Sequence, residues 1–171
     1  GFTGDIYPIH PGATEIDGLT AYKSLADTPK PVDYAYIAVS GAQIPGMLSA
    51  AKGHVRFAQV VSSGFGEVEE GKNLQAELAE AARVGGMRLL GPNCLGIYTP
   101  RGRVTFTEIG PKEVGPVGIV SQSGGLGTDI IRRGMSRGLK FSGLVTVGNC
   151  ADVTPSDLLE FYIADPQTKV I

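Results

Sequence analysis

Gly115-Pro116-Val117-Gly118-Ile119-Val120-Ser121-Gln122-Ser123-Gly124-Gly125-Leu126 is the stretch whose reading decides the fold. Residues 117–120 are a short β-branched apolar run. A Ser/Gly turn follows at once, and after it apolar residues recur at helical spacing. A strand that feeds a helix through so short a turn is half of a parallel crossover unit. The turn also makes a chemical statement. A helix start presents unpaired backbone N–H groups and a partial positive charge. Small residues let an anion reach those amides, and serines add hydroxyl donors. The residues alone leave two readings open: an anion cradle built by Ser121, Gln122, Ser123, Gly124 and Gly125, or a tight turn that needed small side chains.

Working outward, the same alternation recurs. Strands are expected at residues 6–9, 34–39, 56–61, 87–90 and 142–147. Helices are expected at 42–52, with Pro45 in its first turn, and at 70–84, stopped by Gly85-Gly86. A third is expected at 124–137, stopped by Gly138. A fourth opens on Thr154-Pro155-Ser156-Asp157, with Thr154 as N-cap. Parallel strands with helical crossovers follow from this pattern. Pro and Gly punctuate residues 99–115, which contain one short strand-like piece at 104–107. The expected organisation is therefore a first unit over 1–98, a connector over 99–113 and a second unit from 114. The chain opens on Gly1-Phe2-Thr3-Gly4 and ends on a strand just entered at 168–171. Both ends read as cuts in a longer protein.

Composition limits the function. Fifteen Lys and Arg are offset by seventeen Asp and Glu, so no basic field exists to hold a nucleic acid. No apolar run reaches the length of a membrane span. Two cysteines and two histidines are not a metal-spaced set, so no metal site is expected. A cytoplasmic, reduced setting is the default expectation.

In an open parallel sheet, ligands sit at the carboxyl ends of the strands. The loops there carry Pro8, Ile9, His10 and Pro11; Val39 and Ser40; Ser62, Ser63 and Gly64; Asn93 and Cys94; residues 121–125; and Gly148-Asn149-Cys150. All are small, polar or proline-bearing, and none pairs a strong nucleophile with a base. Cys94 has no histidine after it and reads as a small buried residue. His10 reads as a polar contact beside prolines. Ser121 and Ser123 read as hydrogen-bond donors to an anion. Glu67, Glu69 and Glu70 read as a solvated helix start. No dinucleotide fingerprint is present, because Gly1-Phe2-Thr3-Gly4 precedes a strand instead of following one.

These loops, taken in order, resemble the nucleoside-diphosphate-forming acyl-CoA synthetases and, more distantly, the alpha subunit of succinyl-CoA synthetase. The resemblance rests on residues 4–11, Ser63-Gly64-Phe65-Gly66-Glu67, residues 88–96, residues 118–126, Val147-Gly148-Asn149 and Asp165-Pro166-Gln167-Thr168. It covers nearly the whole chain.

The resemblance implies a Rossmann-like CoA-binding domain over 1–98, lacking its opening strand, and from 114 the first part of a flavodoxin-like ligase domain. It implies a CoA site at Pro8, Ile9, His10, Pro11, Val39, Ser40, Ser62, Ser63, Gly64, Asn93 and Cys94. Residues 121–125 match the segment that cradles a phosphohistidine. That histidine is expected beyond Ile171, so no catalytic residue is expected within the chain. His10 stands where the family usually has asparagine. A nucleoside triphosphate with Mg would bind an ATP-grasp domain or subunit outside the chain, a small carboxylic acid would be the acyl donor, and the assembly is expected to be oligomeric. The competing reading is a non-catalytic CoA- or acyl-CoA-sensing module. A plain nicotinamide-binding domain is disfavoured by the Asn93-Cys94 loop and the second unit.

Overall fold

The structure, a computed structural model, describes residues 2–105 and 110–171. Its contacts divide into two compact units, Gly4–Leu89 and Leu90–Ile171 with residues 2–3, both of α/β construction.

The first unit opens with a hairpin, β1 (Glu15–Ile16) and β2 (Leu19–Thr20), that pairs antiparallel. Asp17 and Gly18 turn it with φ of 51° and 78°. Positive φ at both central residues is what a type I′ hairpin requires. Strand β3 (Val32–Ile37), helix α1 (Ile44–Ala50), strand β4 (Val55–Val60), helix α2 (Lys72–Gly85) and strand β5 (Arg88–Leu90) then alternate. The sheet order is β3-β4-β5, and β3 runs parallel to β4 with Ala35 opposite Ala58 and Ile37 opposite Val60. Those four side chains are buried, as are Ile44 and Leu48 of α1 and Leu78 and Ala82 of α2. Pro45 lies in the first turn of α1, where its missing N–H costs nothing. Gly86 caps α2 in the left-handed region.

The strand expected at 6–9 does not form. Ile9 makes one isolated parallel bridge to Tyr22. Pro8 contributes only its carbonyl, which accepts from Tyr22 N at 2.9 Å, and His10 N donates to Tyr22 O at 2.9 Å. A proline has no N–H with which to continue a ladder.

The second unit holds β6 (Ile97–Thr99), β7 (Val104–Thr105), β8 (Val114–Ser121), α3 (Gly124–Met135), β9 (Phe141–Thr146) and α4 (Pro155–Ala164). The sheet order is β7-β6-β9-β8. Strands β8 and β9 are parallel, while β6 runs antiparallel to both β7 and β9. The strand-like piece expected at 104–107 is seen as β7; positions 106 and 107 lie outside the described residues. Tyr98, Ile119, Ile131, Phe141 and Leu144 form the core. Thr154 N donates to Asp157 Oδ2 at 2.8 Å and Asp157 N donates to Thr154 Oγ1 at 3.3 Å, which completes a capping box at α4. Beyond α4, Val170 makes one isolated parallel bridge to Val117 of β8, and the strand expected at 168–171 does not form within the chain.

Arg101 ties the turn after β6 to the segment after α4. Its Nη2 donates to Asp165 Oδ1 at 2.8 Å and its Nε to Gln167 Oε1 at 3.0 Å. Thr168 Oγ1 donates to Asp165 Oδ2 at 2.8 Å. The Arg101 guanidinium, then the Thr168 hydroxyl, hold the Asp165 carboxyl below its ordinary value. A depressed folded-state pKa stabilises the fold above the unfolded value, and that contribution disappears as pH falls through the folded one. Arg101→Ala should therefore lower the melting temperature at neutral pH. The difference from wild type should shrink once the pH drops below about 4. A gap that stays constant down to strongly acidic pH would mean that Arg101 acts through packing alone.

Candidate functional site

The carboxyl ends of β3 and β4 put two of the expected ligand loops side by side. Ser62 Oγ donates to Val39 O at 2.5 Å. Phe65 is fully buried, and its ring underlies Gly41, where a Cβ would stand 3.1 Å from Cε2 and Cζ. Ser40 N-caps the 3-10 turn Gly41–Gln43 without using its side chain, so its hydroxyl stays on the surface. Ser63 and Gly64 are exposed as well, and the space beside Gly64 is open. Val39 and Ser40 therefore join Ser62, Ser63 and Gly64 in one open edge.

Pro8, Ile9, His10 and Pro11 are tied to Tyr22 and to their own turn. The amides of Gly12 and Ala13 donate to His10 Nδ1 at 3.1 and 2.9 Å. His10 Nδ1 is thus the acceptor that closes this turn, and the residue is exposed.

Glu67 departs from the sequence reading. Its carboxylate is not a free member of an acidic run: Oε1 accepts Gly64 N–H and Oε2 accepts Phe65 N–H. The chain doubles back at Gly64, whose φ is +94°, and this brings both amides under the side chain three residues on. Sequence spacing showed the charge and not the turn that folds it back onto the Gly64 and Phe65 amides.

In the second unit three loops meet at the ends of β8 and β9. Asn149 N donates to Pro92 O and Ala151 N to Gly91 O, both at 2.9 Å. Gln122 Nε2 donates to Gly148 O at 3.3 Å. Asn93 is exposed in the left-handed region (φ 53°), with its amide group 3.5 Å from that of Asn149. Through these bonds Asn93 and Cys94 fall with the second unit. Cys94 is only 1% exposed, and its thiol donates to Thr146 O at 2.8 Å. Burial pushes that thiol's pKa up, which works against a thiolate nucleophile.

The Ser/Gly turn is built as a helix start, and its two serines differ. Ser123 is the N-cap of α3; its Oγ accepts Leu126 N–H at 3.3 Å and stays exposed. Ser121 is buried, and its hydroxyl donates to Ser123 O at 2.8 Å. The expectation that Ser121 offers a hydroxyl to an anion is corrected: as the last residue of β8 its side chain alternates inward and is spent on shaping the turn. The amides of Gly124 and Gly125 lie in the first helical turn, where no intrahelical acceptor exists. Gly124 sits against Leu95, whose Cβ would lie 2.6 Å from an added Cβ. Gly125 faces open space, with only Ser123 Oγ near, at 3.9 Å. The arrangement can hold one anion with first-turn amides and the Ser123 hydroxyl, on the favourable end of the α3 dipole.

Two family models match the chain. A CoA binding domain family model matches residues 3–100, and the succinyl-CoA ligase like flavodoxin domain matches residues 114–171. The chain belongs to the CoA-binding domain family, continued by the succinyl-CoA ligase-like flavodoxin domain. Among curated relatives it is 42% identical, over its whole length, to the alpha subunit of acetate–CoA ligase [ADP-forming] I of Pyrococcus furiosus. It spans 38% of that protein. Among solved structures, the apo form of the dinucleotide forming acetyl-coenzyme A synthetase 1 of Ca. Korarchaeum cryptofilum superposes with a TM-score of 0.90 at 39% identity. The match covers 99% of this chain and 38% of that one. The same enzyme has been seen in complex with phosphate and ADP, with a TM-score of 0.89 at 39% identity, over 99% of this chain and 37% of that one.

Proposed function

We propose that this chain is the CoA-binding and phosphate-cradling part of an ADP-forming acid–CoA ligase. The whole protein would join a small carboxylic acid to CoA at the expense of a nucleoside triphosphate, through an acyl phosphate and a phosphohistidine supplied from beyond Ile171. The observation that carries the reading is the conjunction, in one chain, of an open strand-end edge at Ser40, Ser63 and Gly64 with an N-capped Ser/Gly helix start whose Gly125 faces open space. Relatives of matching sequence are ligases of this type.

In this reading Val39, Ser40, Ser62, Ser63 and Gly64 hold CoA, with Pro8, Ile9, His10 and Pro11 on the 8–11 turn of the same unit. CoA supplies the thiol that takes the acyl group. The α3 amides and Ser123 hold the phosphoryl group, placed by Ser121, Gln122 and Gly124. Preorganised donors of this kind are the main protein contribution to phosphoryl transfer. The nucleoside triphosphate and its Mg bind an ATP-grasp domain or partner subunit, and the assembly is oligomeric. A cytoplasmic setting is part of this reading; separately, among the described residues no helix is long and apolar enough to cross a membrane.

Ser40→Trp tests the CoA edge, because an indole there would replace the surface hydroxyl and cover the turn beside it. Calorimetric titration of the whole protein with CoA should show affinity reduced at least about tenfold, equal to about 1.4 kcal/mol. Wild-type affinity in a folded variant would remove the site from this edge. Binding of CoA without any ligase turnover by the whole protein would favour the sensing module.

A further inference from the structure

The turn after β4 is held from several sides. Gly66 N donates to Gln75 Oε1 at 2.9 Å, and Val68 N donates to Phe65 O at 3.0 Å. The backbone of Gly71 lies so close that a Cβ there would stand 2.2 Å from Phe65 O. The amides of Gly64 and Phe65 are different in kind, because they are held by a charged side chain on an exposed residue. Glu67 Oε1 accepts from Gly64 at 2.5 Å and Oε2 from Phe65 at 3.2 Å. Consecutive amides that point to one side form a concave anion nest, and Glu67 fills it from within. Hydrogen bonds to a carboxylate are about twice as strong as neutral ones.

What Glu67 holds is not an isolated turn. Phe65, whose amide it grips, is the fully buried side chain beneath Gly41. Ser62, two residues before Gly64, donates to Val39 O. The carboxylate therefore acts on both strand-end loops of the first unit at once.

We propose that Glu67 is a positioning residue for CoA: by occupying the Gly64 and Phe65 amides, its carboxylate fixes the 62–65 turn against the 39–41 loop in the form that receives CoA. This rests on the reading of the first unit as the CoA site.

The test is a CoA titration of the whole protein by calorimetry, without nucleotide, for wild type, Glu67→Ala and Glu67→Gln, each with and without saturating formate. Wild type should bind CoA and ignore formate. Glu67→Ala should bind about tenfold more weakly, the loss expected for hydrogen bonds to a charged acceptor. Formate should refill the vacated nest and bring its affinity back to within about twofold of wild type. Glu67→Gln, which keeps one acceptor oxygen, should fall between the two. Loss of folded protein does not produce rescue by a small carboxylate, so the formate arm separates positioning from general destabilisation. Wild-type affinity in Glu67→Ala, or a loss that formate does not reduce, overturns the proposal. If circular dichroism shows Glu67→Ala unfolded, Glu67→Gln decides: about threefold weakening supports the role, and wild-type affinity overturns it. If wild type itself fails to bind CoA, the reading of the first unit falls, and it is distinguished from failure of the Glu67 role alone.

Discussion

Gly125→Val is expected to slow histidine phosphorylation by the whole protein about a hundredfold while leaving its melting temperature and CoA affinity unchanged. The expectation depends on where the two glycines of the α3 start face. Gly124 is the natural first choice from sequence, since it follows the N-cap directly. A side chain there would meet Leu95 Cβ at 2.6 Å, so its substitution disturbs packing within the unit before it disturbs any ligand. Gly125 meets nothing closer than Ser123 Oγ at 3.9 Å. Its added methyl groups would stand in the open space in front of the first-turn amides, where the proposed function brings a phosphoryl group. Removing one such donor typically costs two to three powers of ten in rate, or about 3–4 kcal/mol of transition-state stabilisation. Labelling with radioactive nucleoside triphosphate, beside thermal unfolding and a CoA titration, checks all three quantities. Gly124→Ala serves as the contrast, with a lowered melting temperature as its first effect. Wild-type phosphorylation in Gly125→Val would leave the 121–125 segment as a tight turn and nothing more.

The alternation of strands and helices was legible because apolar periodicity and helix caps are local. Thr154 and Asp157 announced their capping box, and Gly86 its helix stop. The hairpin at Asp17-Gly18 was equally local, the strongest two-residue hairpin signal there is, and was passed over because its strands are only two residues each. Strand β6 escaped for a different reason. Ile97–Thr99 pairs antiparallel with β9, more than forty residues later, and no spacing within three residues declares a partner at that distance. The site divides along the same line. That residues 121–125 start a helix could be read from serine and glycine spacing. That Ser121 turns inward while Ser123 stays out needed the strand's alternation to be fixed, and the reach of Glu67 back to the Gly64 amide needed the positive φ of Gly64. The contact of Gly124 with Leu95 joins positions nearly thirty residues apart, and it changes which glycine should be mutated.

Gly148→Ala should destabilise the second unit by about 3 kcal/mol, the upper end of what overpacking costs. Two strains coincide at this position. Its φ is +54°, a left-handed conformation that costs a residue with a Cβ roughly 1–2 kcal/mol. The added Cβ would also lie 2.3 Å from Pro92 O and 2.5 Å from Asn93 O, which are backbone atoms and cannot rotate aside. Relief requires the 91–94 and 147–151 loops to part. Parting them strains the bonds from Asn149 N to Pro92 O and from Ala151 N to Gly91 O, and with them the seat of Asn93. Gly138 is the internal control: its φ is +77°, it lies in the same unit, and nothing stands within 4 Å of its Cβ position. Gly138→Ala should therefore show the conformational cost alone, about 1 kcal/mol. In a unit of this size each kcal/mol moves the melting temperature by about 4–8 °C, so thermal unfolding resolves the two variants easily. Because Gln122 also binds Gly148 O, the same displacement reaches the α3 start, and phosphorylation by Gly148→Ala should fall along with stability. Equal melting temperatures for the two variants would show that the close approach of Gly148 to the 92–93 backbone does not hold these loops together, and the three-loop cluster would lose its structural basis.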